Sequence, residues 1–287
     1  MSLDQIINLL VTITLIVMMI LIGLRVTFAE LSRTISDWQL LVRAAVANCL
    51  VVPCFAVLLL IQFNASPMVS AGLLVLAVCP GAPFGPPLAR IARADVPQSI
   101  GLMVILAGSS AILSPLLLNA LLPWLTGSTA ARINLADLVI VLLITQLVPL
   151  LVGVLLKYWK PHFADRITPL FDRASQFLNL SVAGLIIATQ FSLLANIHLR
   201  GFAGIAMLLI GSLVAGWFAG GSSWQGRKTM ALTTSLRNIG LGLLIVTGNF
   251  AGTPAVSAAL TYGIFEVLGS LLVALWWRHA SHPAEFA

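Results

Sequence analysis

Arg237 is the residue of this chain whose surroundings point most directly to chemistry. It lies inside an apolar segment, in the run Thr233-Thr234-Ser235-Leu236-Arg237-Asn238-Ile239-Gly240. An arginine at the centre of a membrane helix costs about 2.5–3.5 kcal/mol on insertion scales, so it is expected to face a cavity or to pair with an anion. The functional interpretation is a fixed cation that receives an anionic substrate, helped by the positive N-terminal end of a half-helix.

Glu266 is the acidic residue that lies deepest within any apolar segment, and it leaves two alternatives open. In the first, it forms a structural ion pair with Arg237, and a pair that the substrate breaks would also act as a gate. In the second, it binds a proton, since carboxylates inside membranes form proton relays. Because Asn238 adjoins Arg237, we predict that Arg237, Asn238 and Glu266 bind the substrate together.

The second unusual stretch is Cys79-Pro80-Gly81-Ala82-Pro83-Phe84-Gly85-Pro86-Pro87, which interrupts a segment that otherwise reads as one membrane helix. A proline in a helix interior removes a backbone donor and clashes with the preceding turn, at a cost of about 3 kcal/mol or more. Freed backbone groups find no water in lipid, so a broken helix is tolerated only against protein or along a wet cavity. Interrupted segments at matching positions of two halves are typical of transporter binding sites. We therefore predict that Gly85 and Pro86 contact the substrate, and that a helix crossing is formed by Cys79, Pro80, Gly81, Pro83 and Pro87.

The composition is that of a polytopic membrane protein. Of the 287 residues, 60% are hydrophobic and 8% are charged, whereas a soluble domain is about one-quarter charged. The first apolar run is longer than the hydrophobic region of a signal peptide and has no small-residue cleavage site after it, so no cleavable signal is expected. The segments bring together neither a metal-ligand cluster nor a nucleophile with a base, so we expect no enzyme and no cofactor beyond a possible sodium ion.

Nine apolar segments are long enough to cross a bilayer, which takes about 20 residues each. They lie at about 6–28, 39–62, 68–92, 97–124, 136–158, 174–195, 202–220, 230–250 and 254–277. The loops between them are short, so residues 1–287 are predicted to form one all-α transmembrane domain. The stretch 160–173 mixes apolar residues with charges and is predicted to be an amphipathic helix at the cytoplasmic surface.

The distribution of Lys and Arg predicts the orientation. If the N-terminus is outside, most of these residues fall on the cytoplasmic side, and the outer loops hold only Arg132 and Arg200. The positive-inside rule then places the N-terminus outside and the C-terminus in the cytoplasm, in what we expect to be a bacterial inner membrane. The same asymmetry accounts for the net charge of +6 without nucleic acid as a partner.

The order of the segments predicts an inverted repeat. The third segment carries the proline–glycine break, and the eighth, which runs in the opposite direction, carries Arg237. If segments five to nine form a five-helix repeat at about 133–280, segments one to four form an inverted copy at about 1–125 that lacks its first helix.

The residues around the break and around Arg237 resemble those of the bile acid:sodium symporter family. The similar runs are Cys79-Pro80-Gly81, Leu88-Ala89-Arg90-Ile91-Ala92-Arg93-Ala94-Asp95-Val96, Leu113-Ser114-Pro115-Leu116-Leu117, Arg237-Asn238-Ile239-Gly240 and Gly269-Ser270-Leu271-Leu272. The resemblance implies inverted repeats of five helices, a core and a panel domain, and fourth helices that are unwound and cross each other. Some members resemble this chain in having nine spans.

Most of the sodium ligands that the resemblance implies are missing. Where the family has Ser and Asn, this chain has Gly85 and Pro86, and where it has Glu and Gln, this chain has Thr233 and Arg237. The possible ion-binding residues that remain are Asn48, Ser99, Thr233 and Ser235.

We therefore predict a secondary active transporter that moves a small organic anion by alternating access. Arg237 would stand in for sodium, because two cations close together in a low dielectric repel each other, and transport would be sodium-independent or weakly sodium-coupled. The alternative is a sodium-coupled symporter of bile-acid-like or other organic acids with a rebuilt sodium site. A more distant alternative is a membrane sensor or a channel. The oligomeric state is not predicted.

Overall fold

The computed structural model describes residues 2–127, 134–195 and 199–280, and within these ranges the chain is helical with no strand. The α-helices are α1 (Leu3–Arg25), α2 (Phe28–Ser36), α3 (Trp38–Ala45), α4 (Val52–Gln62), α5 (Pro67–Ala77), α6 (Gly85–Ile91), α7 (Val96–Thr126), α8 (Leu135–Leu142), α9 (Val148–Trp159), α10 (Pro161–Ala195), α11 (Leu199–Ala219), α12 (Trp224–Ser235), α13 (Ile239–Asn249) and α14 (Pro254–Ala280).

Two π-helical turns join neighbouring helices into longer rods. Val46–Val51 connects α3 to α4, and Leu143–Leu147 connects α8 to α9. Each turn is followed by a proline in the first turn of the next helix, and a proline has no N–H to continue the normal ladder, so the helix widens locally. The π-turns place two buried amides, Asn48 and Gln146, inside the protein.

Seven helical stretches of the described chain are long and apolar enough to cross a membrane: Gln5–Arg25, Trp38–Gln62, Val96–Thr126, Leu135–Trp159, Arg200–Ala219, Trp224–Asn249 and Pro254–Ala280. Each overlaps one of the nine predicted segments. The predicted segment 68–92 is broken into α5 and α6, and 174–195 is the second part of α10. The amphipathic helix predicted at 160–173 is continuous with that segment in α10, so the count of nine spans stays a prediction.

The outer surface of the bundle is apolar. Large hydrophobic side chains that are more than half exposed include Leu50, Leu58, Ile61, Ile144 and Leu272. So many exposed large apolar side chains are unfavourable in water and favourable against lipid. The protein is therefore an integral membrane protein.

The broken helix α12–α13 lies at the centre of the protein. Every residue of 228–247 except Ile239 is buried, and α12 packs against α7 and α11 while α13 packs against α1, α5 and α14. Because protein rather than lipid surrounds this helix, it can carry the threonines, serines and arginine that a lipid-facing helix would exclude. A second packing unit is formed by α1 with α9 and α10.

Candidate functional site

The two broken helices meet at their breaks. The first helix is interrupted between the end of α5 at Ala77 and the start of α6 at Gly85, and the second between Ser235 and Ile239. The backbone N–H of Asn238 donates a hydrogen bond to the carbonyl of Cys79, over 2.8 Å. One backbone donor and one acceptor that the breaks release thus satisfy each other, which a helix interrupted inside a membrane requires.

The first break is shorter than the nine-residue stretch that we predicted. Cys79, Pro80, Gly81 and Pro83 lie in it, but α6 resumes at Gly85, so Gly85, Pro86 and Pro87 form its first turn. The first N–H groups of a helix have no partner within that helix, so prolines are tolerated there. The prediction that Pro87 belongs to the break itself is therefore corrected.

The first break is held against α7. Gly81 has φ +89°, and a Cβ added there would lie 2.3 Å from the backbone nitrogen of Ala107. The Ser114 hydroxyl donates to the carbonyl of Val78, over 2.7 Å. These contacts hold the break in one conformation.

The second break has its own capping contacts. The side-chain oxygen of Asn238 accepts a hydrogen bond from the N–H of Leu241 (3.1 Å) and caps α13. The hydroxyls of Ser235 and Ser270 lie 2.9 Å apart and tie the end of α12 to α14. Ser235 therefore has a protein partner, and Asn238 has a structural role in addition to the substrate-binding role predicted for it.

Arg237 is completely buried, and its guanidinium contacts neutral acceptors. Nη2 donates to the carbonyl of Thr234 (2.8 Å), and Nη1 donates to the side-chain oxygen (3.3 Å) and the carbonyl (3.5 Å) of Asn48. Nε has no hydrogen-bond partner among the described residues. The positive charge of the guanidinium is thus stabilised by carbonyl and amide dipoles, and no carboxylate contacts it in the described part of the chain.

Glu266 contacts Arg237 through the backbone. Its Oε1 accepts a hydrogen bond from the backbone N–H of Arg237, over 2.7 Å, and its Oε2 has no partner in the described part of the chain. The ion pairs found there are Arg25–Asp172 and Lys157–Asp165. The predicted side-chain ion pair between Glu266 and Arg237 is therefore not formed, although the carboxylate is held at the same break.

Replacing Glu266 tests which part of this contact stabilises the protein. Glutamine keeps an oxygen that can accept from the Arg237 N–H, whereas alanine leaves that buried donor unpaired at a cost of about 1–3 kcal/mol. We expect Glu266→Ala to unfold at a clearly lower temperature in detergent than Glu266→Gln, whose melting temperature should lie close to that of the wild type. Equal losses in both variants would show that the negative charge, not the hydrogen bond, stabilises the break.

The remaining predicted ion-binding residues lie between α6, α7 and α12. The hydroxyls of Ser99 and Thr233 are buried and have no hydrogen-bond partner in the described ranges. A Cβ added to Gly85 would lie 3.4 Å from Ser99 Oγ, so α6 passes close to this hydroxyl. Asn48, by contrast, is fully engaged with Arg237, Thr234 and Ala44.

Tyr262 belongs to the site and was not predicted. It lies one turn before Glu266 on the same face of α14, is completely buried, and interacts electrostatically with both Glu266 and Arg237. Its hydroxyl faces the side chains of Ser212 and Arg237. The sequence could have indicated Tyr262 through its i, i+4 spacing to Glu266, because residues four apart share a helix face.

The described residues contain no group of three His, Cys, Asp or Glu side chains that could hold a metal ion. The crossing instead collects one guanidinium, one carboxylate and several neutral oxygens. These groups can bind a small charged species, but they include no nucleophile paired with a base.

Comparison with known proteins identifies the family. The family profile described as "Sodium Bile acid symporter family" matches residues 12–199. Over 276 residues, the chain is 22% identical to a protein of Oryza sativa subsp. japonica named "Probable sodium/metabolite cotransporter BASS2, chloroplastic". Over the same length it is 24% identical to a protein of Arabidopsis thaliana named "Probable sodium/metabolite cotransporter BASS1, chloroplastic".

The alignments cover 93% and 94% of this chain, but 64% of the rice protein and 67% of the Arabidopsis protein. The chain thus spans about two thirds of the length of these relatives. The family is one of transporters and not of enzymes, as the absence of a catalytic pair from the sequence predicted. With a profile that matches well over half of its length and a pair of broken helices that meet at its centre, this chain belongs to the sodium bile acid symporter family.

Proposed function

We propose that the protein is a secondary active transporter for a small organic anion, in which the guanidinium of Arg237 takes the place of a sodium ion. The observation that carries the proposal is the environment of this guanidinium. It is buried where the two broken helices meet, and its contacts are the side-chain oxygen of Asn48 and the carbonyls of Asn48 and Thr234. Neutral oxygens of these kinds are also the ligands that a hard cation takes.

Electrostatics makes the replacement effective. Two unit charges about 4 Å apart repel by about 4 kcal/mol at an effective dielectric constant of 20. A sodium ion that approached Asn48 or Thr234 would meet this repulsion and would also have to displace the arginine hydrogen bonds. The fixed charge therefore supports transport that is independent of sodium or only weakly coupled to it.

Glu266 supports coupling to a proton. With Glu266 ionised, the charges of Glu266 and Arg237 cancel and the crossing is neutral. With a proton on the unpartnered Oε2, the crossing carries the positive charge of Arg237 and attracts an anion. Uptake of one proton with one monovalent anion would then leave the loaded site electrically neutral.

The architecture that we propose has nine spans in inverted repeats of four and five helices, with the N-terminus outside and the C-terminus in the cytoplasm of a bacterium. The meeting of the α5–α6 and α12–α13 breaks supports two fourth helices that cross. The packing of α1 with α9 and α10 supports a separate panel domain. Substrate would lie between the crossing and these helices, and alternating access would move one unit past the other.

A sodium-coupled symporter is the second candidate. The relatives' names describe sodium/metabolite cotransporters, and the unpaired hydroxyls of Ser99 and Thr233 are buried oxygens that a cation could use. Gly85 lies beside Ser99, so backbone oxygens of α6 could complete such a site. The cation would then bind beside Arg237 and not in its place.

Thermal stability in sodium chloride and in choline chloride at equal ionic strength separates the two candidates. A ligand present at 100 times its dissociation constant adds about 2.7 kcal/mol of stability, so occupied sodium sites raise the melting temperature. We expect the purified protein to melt at the same temperature in both salts.

A sodium-specific rise in the melting temperature would contradict the proposal. Thr233→Val, which removes the hydroxyl at nearly constant volume, then locates the site. A rise that disappears in this variant would assign sodium to the Ser99–Thr233 region, and one that persists would place the ion elsewhere.

A further inference from the structure

A cavity lies away from the crossing, among α4, α5, α11 and α14. Its volume is about 820 Å³, within the range of about 300–1,000 Å³ that is usual for small-molecule sites. α4 packs on α5 and α11, and α14 packs on α5 and α11. The four helices therefore surround the cavity as a ring of mutual contacts.

The cavity has an apolar wall and one charge. Its wall includes Leu59, Phe63, Leu73, Ile205 and Leu208, contributed by three of the four helices. Among the described residues that line it, Arg200 is the only charged one, and Arg200 takes no part in the ion pairs of the described chain.

Arg200 stands at the mouth of the cavity. It is exposed and lies in the first turn of α11, and the loop that follows α4 brings Asn64 and Ser66 to the same mouth. In the proposed orientation this mouth faces outside. A cation with two neutral polar groups above an apolar funnel complements a molecule with one anionic end and an apolar body.

The cavity is separate from the Arg237 site. Its inner part, at Leu73 and Leu208, contacts the buried cluster that contains Leu76 and Tyr262. These two completely buried side chains stand between the cavity and the crossing. Among the described side chains, none from α1, α9 or α10 lines it, so this lining differs from that of the space between the crossing and those helices.

We propose that this cavity binds a free amphiphilic carboxylate, with the carboxylate at Arg200 and the hydrocarbon body between α4, α5, α11 and α14. A free amphiphile is favoured over a bilayer lipid because the ring of helices closes the cavity laterally. Binding here is independent of transport at the crossing, so it can be tested without knowing the transported substrate.

Gly204 offers a way to narrow the cavity. Among the described residues, a Cβ added to Gly204 would meet only the ring of Phe63, at 3.8 and 3.9 Å, which is ordinary van der Waals contact. Gly204→Leu therefore extends a side chain into the cavity with no clash at its Cβ. Gly184→Leu is the matched control, because Gly184 lies on α10, where an added Cβ meets nothing within 4 Å.

The experiment measures equilibrium binding of radiolabelled oleate to the full chain in phosphatidylcholine nanodiscs, with methyl oleate as the uncharged competitor. We expect saturable binding of one oleate per chain and at least about tenfold weaker competition by the ester, since a charge-assisted contact is lost. Arg200→Gln should weaken oleate about tenfold and remove its advantage over the ester. Gly204→Leu, which takes up part of the space for the hydrocarbon body, should weaken saturable binding at least about tenfold, and Gly184→Leu should leave it unchanged.

Three results would overturn the proposal. The first is saturable oleate binding that is as tight in Gly204→Leu as in the wild type, and the second is an ester that competes as well as oleate does with the wild type. The third is loss of oleate binding in nanodiscs that contain phosphatidylglycerol, which would assign the cavity to an anionic lipid. The melting temperature of each variant, measured in parallel, separates a lost site from a lost fold.

Discussion

Arg237→Gln is expected to reduce uptake of the anionic substrate by at least about 100-fold. The wild-type guanidinium is completely buried, and removing one partner of a buried, hydrogen-bonded charge contact costs about 2–5 kcal/mol. Glutamine is also the residue that the family resemblance implies at this position. The variant therefore removes the fixed cation and leaves Asn48 and the Thr234 carbonyl available to sodium.

Proteoliposomes provide the measurement. Short-chain mono- and dicarboxylates are first ranked by how much they raise the melting temperature of the wild type, and the best of them is the uptake probe. Arg237→Lys is the matched control, because lysine keeps the charge but lacks the planar fork that reaches Asn48 and Thr234 together. We expect intermediate uptake from Arg237→Lys and none above background from Arg237→Gln.

Two readouts separate a functional arginine from a structural one. If Arg237→Gln transports the probe at the wild-type rate and differs only in melting temperature, the arginine stabilises the crossing and does not serve the substrate. If the variant loses sodium-independent uptake and gains stabilisation by sodium, the arginine has taken over the electrostatic role of the ion.

Gly81→Ala is expected to destabilise the protein by about 2–5 kcal/mol and to lower its melting temperature by several degrees. The positive φ of +89° costs a non-glycine residue about 1–2 kcal/mol. The new methyl group would lie 2.3 Å and 2.6 Å from the backbone nitrogen and Cα of Ala107, and overpacking against a rigid helix costs about 1–3 kcal/mol more. Melting in detergent and size-exclusion profiles measure the loss.

Gly127→Ala separates the two contributions. Gly127 also has a positive φ, +61°, but an added Cβ there meets no described residue within 4 Å, so we expect this variant to show the backbone cost without the packing cost. If Gly81→Ala and Gly127→Ala lost equal stability, the first break would not be packed tightly on α7. A larger loss at Gly81 would confirm that the crossing depends on close contact between the break and α7.

Local features of the sequence predicted the class of the protein and the positions of its breaks. The length of an apolar run predicts which segments form membrane helices. Each residue of such a run contributes to the free energy of transfer from water to lipid, whatever it contacts in the folded protein. Prolines and glycines interrupt helices for reasons that lie within one or two turns. The short motifs then led to the family that the comparison confirms over residues 12–199.

The boundary of the first break was less predictable. Prolines can end a helix or begin one, and Pro86 and Pro87 do the second. The local sequence does not distinguish a proline that ends a helix from one that begins the next. The difference depends on whether the preceding N–H and carbonyl groups find partners elsewhere, and here the Val78 and Cys79 carbonyls bond to Ser114 and Asn238.

Only the tertiary structure decided which groups surround Arg237. The sequence offered Glu266 as the opposite charge, and Coulomb attraction made a side-chain pair the natural prediction. In the structure, Glu266 instead accepts a hydrogen bond from the backbone N–H of Arg237. The guanidinium donates to Asn48, which is 189 positions away in the chain. The choice between such partners depends on the relative placement of the π-helical turn before α4, the second break and α14, and no local pattern encodes that placement. The same reason applies to the cavity at Arg200, whose walls come from four helices that are brought together only when the protein folds.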